Sequence, residues 1–197
     1  QRVPSSAVSA RADHELNSEL VGLQADLIAA EQSPHHETSF ILLSDLHLDN
    51  PRVMTALGEV LSAYNDMDEK SVPKLFVLCG NFRSRPWLFN GEAMRDYQAR
   101  HRILFLLHVV SSTDLLENAD LFASLAGLLA SFETLLACSH FLLVPGPTDP
   151  WSSAALPRPP LPTALLKPLL SKVPNVTLGS NPCRIRWFSQ EIVIFRD

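Results

Sequence analysis

The sequence has no apolar run long enough to cross a membrane. Its longest charge-free stretches, Ile103 to Thr113 and Leu121 to Phe132, fall short of the roughly 20 apolar residues that a spanning helix needs. A basic-then-apolar opening of the signal-peptide kind is also missing. We therefore predict no membrane span and no membrane partner.

Cysteine and clustered basic residues are scarce as well. The three cysteines, Cys79, Cys138 and Cys183, are an odd number without CxxC spacing, which predicts reduced, buried thiols in an intracellular protein rather than disulfides. No cluster contains five or more basic residues, so the chain carries no basic targeting motif.

Charge is unevenly distributed along the chain. Residues 1–150 carry 10 Lys and Arg against 19 Asp and Glu, whereas residues 151–197 carry 6 against 2. Because a strong electrostatic grip on nucleic acid needs a basic surface, the acidic bulk disfavours direct DNA binding. The basic end is interpreted as a solvated rim, with an acidic partner or phosphate as the alternative.

Hydropathy patterning divides the chain at about residue 38. Residues 1–38 are polar around one apolar pattern at helical spacing, which predicts a linker containing a short amphipathic helix. That pattern consists of Leu16, Leu20, Leu23 and Leu27. Both ends of the sequence, Gln1 and a strand just finishing at Asp197, have the character of cuts in a longer protein.

Residues 39–197 predict one α/β domain. Four continuous apolar runs each border polar or Gly/Pro-rich residues, and such runs are typical of strands buried on both faces of a parallel or mixed sheet. The runs are Phe40 to Leu43, Leu75 to Leu78, Phe141 to Val144 and Ile192 to Phe195. Asn50 is a favourable N-cap, and Pro51, which follows it, suits the first helical position, so the pair predicts a helix after the first strand. Its apolar face would comprise Val53, Ala56, Leu57, Val60, Leu61 and Tyr64.

The second half of the domain predicts two further features. The pattern from Glu92 to Cys138 is helical, with a break at 111–113 and a restart at Asp114. The proline-rich stretch 151–182 predicts an extended path over the surface before the final strand.

Three loops that follow strands carry residues able to do chemistry, since ligand sites of open α/β sheets form where loops leave the carboxyl ends of strands. They contain Asp45 with His47, Gly80 with Asn81, and Gly146 to Asp149. An Asp-x-His pair after a buried strand is a reasonable but weak start for a divalent metal site.

The order and spacing of these loops resemble the calcineurin-like metallophosphoesterases, whose pattern is Asp-x-His, Gly-Asp and Gly-Asn-His-Asp/Glu. Asp45 and His47 match the first motif, and Asp149 falls at the last, acidic position. Asn81 stands where that family has the aspartate that bridges two metals, and Pro147-Thr148 replaces the Asn-His pair. The resemblance implies a sandwich of mixed β-sheets flanked by helices, here incomplete at the C-terminus.

The substitutions oppose metal chemistry for physical reasons. Two divalent ions a few Å apart repel each other, and a bridging carboxylate offsets that repulsion, whereas Asn81 supplies no charge. Pro147 offers neither a side-chain ligand nor a backbone N–H, and no histidine follows His140. We therefore predict no catalytic residue, no metal and no cofactor. Asp45 is interpreted as a loop residue that accepts hydrogen bonds from backbone amides, with His47 packed or facing solvent; a single weakly bound metal is the alternative at this loop. An active metal-dependent phosphoesterase is the alternative.

Flanking sequence narrows the resemblance to the B subunit of DNA polymerase epsilon. Five blocks carry it, in order, over about residues 39–197. They are Phe40 to Asp49, Leu78 to Phe82, Phe141 to Pro150, Leu156 to Pro162, and Asn181 to Ile185 followed by Gln190 to Ile192. The stretch from about 101 to 121 is longer than the usual spacing in that family.

This resemblance implies a non-catalytic scaffold that supports chromosomal DNA replication in the nucleus. Its implied partners are the C-terminal zinc-binding region of the polymerase's catalytic subunit and replicative helicase components, with DNA reached mainly through the complex. An oligonucleotide-binding domain would precede this region, and residues 1–38 would be the connection from it.

The proline block Arg158 to Pro162 permits another interpretation, because SH3 domains bind extended proline segments with an Arg at one end. We favour an ordered strap anchored by Trp151, Leu156 and Leu161. Trp87 and Phe89 are aromatic loop residues that could meet a partner or cover the core.

Overall fold

The fold was analysed in a computed structural model that describes residues 23–32, 38–85, 112–150 and 155–197. The described part divides into a larger unit, within residues 38–183 and 193–197, and a smaller unit, within residues 1–37 and 184–192. The larger unit contains a parallel β-sheet flanked by helices, so the chain has the α/β class that its strand pattern predicts.

The main sheet has four parallel strands in the order β1-β2-β3-β4. They are β1 (Phe40–Leu43), β2 (Leu75–Cys79), β3 (His140–Val144) and β4 (Val176–Leu178). In-register pairing aligns Leu43 with Leu78 and Leu78 with Leu143, so the carboxyl ends of the first three strands meet at one edge. The predicted strands at β1, β2 and β3 are confirmed, whereas β4 lies in the stretch predicted to be extended and was missed.

Helices pack on the sheet and close the core. They are α1 (Pro51–Asn65), α2 (Ser112–Ala130), α3 (Glu133–Cys138) and α4 (Lys167–Lys172). At the centre, Phe76 of β2 stacks on Phe141 of β3 with ring centroids 5.5 Å apart, and Tyr64 of α1 meets Phe76 edge-on. Burial of such rings is the largest apolar contribution of individual side chains to the core.

Helix α1 begins where the sequence predicts. The Asn50 side chain accepts a hydrogen bond from the Arg52 N–H at 3.0 Å, and Pro51 occupies the first turn, where a missing N–H costs nothing. The buried face is narrower than predicted, because Leu57 and Leu61 are buried whereas Val60 is 37% exposed. The apolar stripe that the core covers is therefore narrower than the predicted one.

The extended path predicted for residues 151–182 is wrong. That stretch contains α4 and β4, and five of its apolar side chains are buried: Leu161, Leu165, Leu166, Leu169 and Val173. Apolar burial against the sheet outweighs the proline content here. Of the three proposed anchors, Leu161 is confirmed, Leu156 is exposed, and Trp151 lies outside the described residues.

The predicted restart of the helix at Asp114 is late by two residues relative to the structure, since α2 begins at Ser112. A break at Ser131 and Phe132, between α2 and α3, has no counterpart in the prediction. The earlier part of that helical pattern, the first half of the long spacing at 101–121, and Trp87 and Phe89 lie outside the described residues. Every helix within the described ranges is too short or too polar to cross a bilayer.

A second, two-stranded sheet is formed by β5 (Cys183–Trp187) and β6 (Gln190–Ile194). The final strand is thus confirmed two residues earlier than predicted, and β5 was missed. In the smaller unit, residues 23–31 are helical and include Leu23 and Leu27 of the predicted helical pattern. Ser189 donates a hydrogen bond to Glu31, and Arg184 pairs with Glu191 at 2.8 Å.

Candidate functional site

The three chemistry-bearing loops come together at the carboxyl edge of the main sheet, as the sequence predicts. Asp45 follows β1, Asn81 follows β2 and Asp149 follows β3. The Leu48 N–H donates to the Phe82 carbonyl at 2.9 Å, which ties the first two loops to each other. The residues of the predicted degenerate motif are therefore neighbours in space.

Asp149 is turned into the protein, where it is 1% exposed. One carboxylate oxygen accepts the Phe82 N–H at 2.7 Å and the other accepts the Gly146 N–H at 2.7 Å. Burial raises the pKa of Asp149 to about 6, while the two backbone donors act in the opposite direction. Asp149 therefore joins the loops after β2 and β3, with both oxygens occupied.

Asn81 makes a second link between the same loops. Its side-chain oxygen accepts the Thr148 N–H at 2.9 Å. The two loops approach so closely that a Cβ at Gly80 would clash with the Asp149 carboxylate, and one at Gly146 would clash with the Asn81 side chain. Glycine at both positions is therefore a steric requirement.

Asp45 is bound by a cation of the protein itself. The Arg196 guanidinium donates from Nη2 to Asp45 Oδ1 at 2.6 Å, and from Nε to the Gly80 carbonyl at 3.1 Å. This hydrogen bond from Arg196 is the main cause that holds the pKa of Asp45 below its ordinary value, and the Asn81 backbone N–H adds to it. His47 Nε2 lies 3.9 Å from the same Asp45 oxygen.

The backbone of Arg196 is held as firmly as its side chain. Asn181 is fully buried, and its side chain accepts the Arg196 N–H at 3.1 Å and donates to the Arg196 and Pro145 carbonyls. Arg158 pairs with Asn181 in an isolated antiparallel bridge and donates from Nη1 to the Arg196 carbonyl at 2.8 Å. Sequence reasoning missed the role of these three polar residues, and no local pattern marks it.

A further link joins the loops after β1 and β2. Asp49 accepts the Ser84 N–H at 2.9 Å, and its other oxygen accepts the Ser84 hydroxyl. This pairing also escaped the sequence analysis, although the Asp49 position lies within one of the quoted blocks. The carboxylates of Asp49 and Asp149 thus bind backbone N–H and hydroxyl groups, whereas that of Asp45 binds a guanidinium.

The arrangement does not fit a dinuclear metal centre. Within the described ranges, no group of three or more His, Cys, Asp or Glu side chains lies together in a way that could hold an ion. The oxygens of Asn81 and Asp149 are engaged with backbone N–H groups, and Asp45 is engaged with Arg196. No catalytic step through a metal follows from this geometry.

The cysteines contribute no reactive thiolate to this site. All three are free; Cys79 is buried, and Cys138 and Cys183 are half-buried. Burial raises the pKa of the Cys79 thiol to about 11 and also raises that of Cys183. A thiol that stays protonated at neutral pH is a poor nucleophile and a poor metal ligand.

Comparison with known proteins decides the family. The profile of the family described as the B subunit of DNA polymerase alpha/epsilon matches residues 40–197. The chain belongs to that family. Its relatives include the B subunit of DNA polymerase epsilon from Arabidopsis thaliana, which is 36% identical over 158 residues, and that from Saccharomyces cerevisiae, which is 34% identical over 183 residues.

The match covers most of this chain and a small part of each relative. The Arabidopsis alignment includes 80% of this chain and 26% of that relative, and the yeast alignment includes 89% and 23%. The DNA polymerase epsilon subunit 2 of Homo sapiens is 29% identical over 167 residues, which are 84% of this chain and 26% of that protein. The chain thus spans about a quarter of the length of these relatives.

Proposed function

We propose that this chain is part of a non-catalytic accessory subunit of a replicative DNA polymerase of the epsilon type. The observation that carries the proposal is the position of Asn81. A neutral amide stands where a bridging acid would be required, and its oxygen is already bonded to the Thr148 N–H. Family membership supports the polymerase context, and the site geometry is the reason to expect no catalysis.

The proposed architecture is a degenerate phosphoesterase-like domain at residues 39–197, preceded by a linker at residues 1–38. The parallel sheet would form one layer of a calcineurin-like sandwich, and Asp45, His47, Asn81 and Asp149 would be the remains of its metal-site motifs. Their present role is to hold loops together, because each of the three that the structure links, Asp45, Asn81 and Asp149, bonds to a neighbouring loop or segment.

The proposed partners follow from the same family context. The subunit would bind the C-terminal zinc-binding region of the polymerase's catalytic subunit and connect it to replicative helicase components in the nucleus. DNA would be reached mainly through the complex, since residues 1–150 are acidic in sum.

The burial of Arg158 weighs against the proline block as a ligand for SH3 domains. Such a ligand needs an accessible Arg, whereas Arg158 is 5% exposed and donates to the Arg196 carbonyl. The proline block therefore fits the role of an ordered strap, as proposed from the sequence.

Two measurements on the full-length protein test this proposal. Affinity purification from cells should recover a large polymerase catalytic subunit, and repeated failure to recover it would contradict the docking function. The purified protein should show no phosphodiesterase turnover with added Mn²⁺. Turnover that is abolished by Asp45→Ala would instead establish the alternative, an active phosphoesterase.

A further inference from the structure

Arg196 contacts the two loops that a bound cation would have to contact. Its guanidinium bonds the Asp45 carboxylate after β1 and the Gly80 carbonyl after β2. The same charge acts on the Asp149 carboxyl group after β3, because it is one of the causes that lower the pKa there. One guanidinium thus makes hydrogen bonds at the ends of β1 and β2 and acts through its charge at the end of β3.

A divalent metal in an α/β site of this kind does two jobs: it neutralises carboxylates and it fixes the relative positions of the loops that carry them. The Arg196 guanidinium can do both, since it is permanently charged and its planar fork donates in fixed directions. Its 2.6 Å bond to Asp45 and 3.1 Å bond to Gly80 join the ends of β1 and β2.

The position of Arg196 is set independently of its charge. Asn181 and Arg158 bind its backbone N–H and carbonyl groups, and both of these residues are buried. The side chain is only 23% exposed, so the surrounding structure holds the guanidinium in the site. An exposed ion pair formed by chance would lack this support.

We propose that Arg196 is the resident cation of this site, replacing a divalent metal in neutralising Asp45 and in joining the β1 and β2 loops to the segment after β6. The folded state of these loops is therefore independent of divalent ions. This inference concerns the chain's own charges and needs no partner, so its failure would leave the docking proposal untouched.

A double-mutant cycle in the full chain tests the charge coupling. Asp45→Asn, Arg196→Gln and the double variant are compared with wild type by urea unfolding. We expect a coupling of about three- to fivefold in the unfolding equilibrium constant, near the upper end of the range for partly exposed ion pairs. The matched control is the pair Arg184 and Glu191, whose side chains are 73% and 59% exposed and whose coupling should stay within about twofold.

A metal titration provides the second test, and its main comparison uses the wild-type protein alone. The thermal midpoint of the wild-type protein should differ by less than about 1 °C between excess EDTA and 1 mM Mn²⁺. A rise of several degrees with Mn²⁺ that disappears in Asp45→Asn would overturn the proposal, because a metal would then compete successfully with Arg196. Coupling in the Asp45 cycle no larger than in the control cycle would overturn it as well.

Discussion

Replacement of Asn181 by alanine should be among the most damaging single polar changes in the described part of this protein. The Asn181 side chain makes three hydrogen bonds in a fully buried position: it accepts the Arg196 N–H and donates to the carbonyls of Arg196 and Pro145. Alanine removes all three, and it leaves the Pro145 carbonyl and the partly buried Arg196 N–H without these bonds.

The expected loss follows from the number of bonds. A buried hydrogen bond contributes about 1 kcal/mol net, and a backbone group left unsatisfied costs about 1 to 3 kcal/mol. Three bonds lost at Asn181 therefore predict a decrease of about 3 to 4 kcal/mol in the free energy of unfolding, which is a large part of the stability of an ordinary domain. Asn181→Asp should be no milder, because it buries a charge and loses both donors.

Urea unfolding of the full chain measures this loss, with Asn65→Ala as the matched control. Asn65 is half-buried, and its side chain accepts one hydrogen bond, from the Thr134 N–H at 3.1 Å, so its replacement should cost about 1 kcal/mol. Hydrogen exchange at the Arg196 amide should accelerate in Asn181→Ala but stay unchanged in the control. An Asn181→Ala cost equal to that of Asn65→Ala would refute the bond counting.

Three further outcomes are expected. Gly80→Ala should destabilise the folded protein by several kcal/mol because the new Cβ would clash with the Asp149 carboxylate. Gly127→Ala in helix α2 should instead stabilise it by about 0.5 to 1 kcal/mol, since a Cβ there meets nothing within 4 Å. Thermal unfolding of the two variants compares these effects. Burial raises the pKa of Asp149 to about 6, so the folded state holds the Asp149 proton more tightly than the unfolded state does. The stabilisation from this protonated carboxyl group is fully present below about pH 4 and is lost as the pH rises through 6. In urea titrations, the free energy of unfolding of wild type relative to Asp149→Asn should therefore fall by roughly 2 to 3 kcal/mol over that window. Leu42 and Phe195 are 52% and 53% exposed, so residues 39–197 alone should be poorly soluble. Phe195→Ser should raise the monodisperse fraction in size-exclusion chromatography without lowering the unfolding midpoint.

Local signals account for the parts of the fold that could be predicted from the sequence. Strands β1, β2 and β3 are continuous apolar runs, and the start of α1 is marked by Asn50 and Pro51. These signals depend on neighbours within a few residues. The order of these strands along the chain was enough to predict that Asp45, Asn81 and Asp149 lie at one edge of the sheet.

The remaining features depend on contacts that no local pattern encodes. Arg196 reaches Asp45 across 151 positions of sequence, and nothing near either residue marks the pairing. The extended path predicted for the proline-rich stretch is wrong for a related reason, since burial of leucines such as Leu169 in α4 outweighs the proline content. Composition describes the propensity of a segment, whereas packing against the sheet decides its structure.

Asp149 illustrates why resemblance to a metal-site motif is weak evidence for catalysis. In this structure the carboxylate accepts the Phe82 and Gly146 N–H groups at 2.7 Å each, so its presence is explained by loop geometry without any ion. An Asp149 variant would lose those bonds whether or not the protein catalysed a reaction. Loss of function in such a variant therefore says nothing about metal chemistry unless the folded fraction is measured as well. Asp45 is half-exposed and paired with Arg196, so a substitution there tests the effect of its charge with less disturbance of the loops.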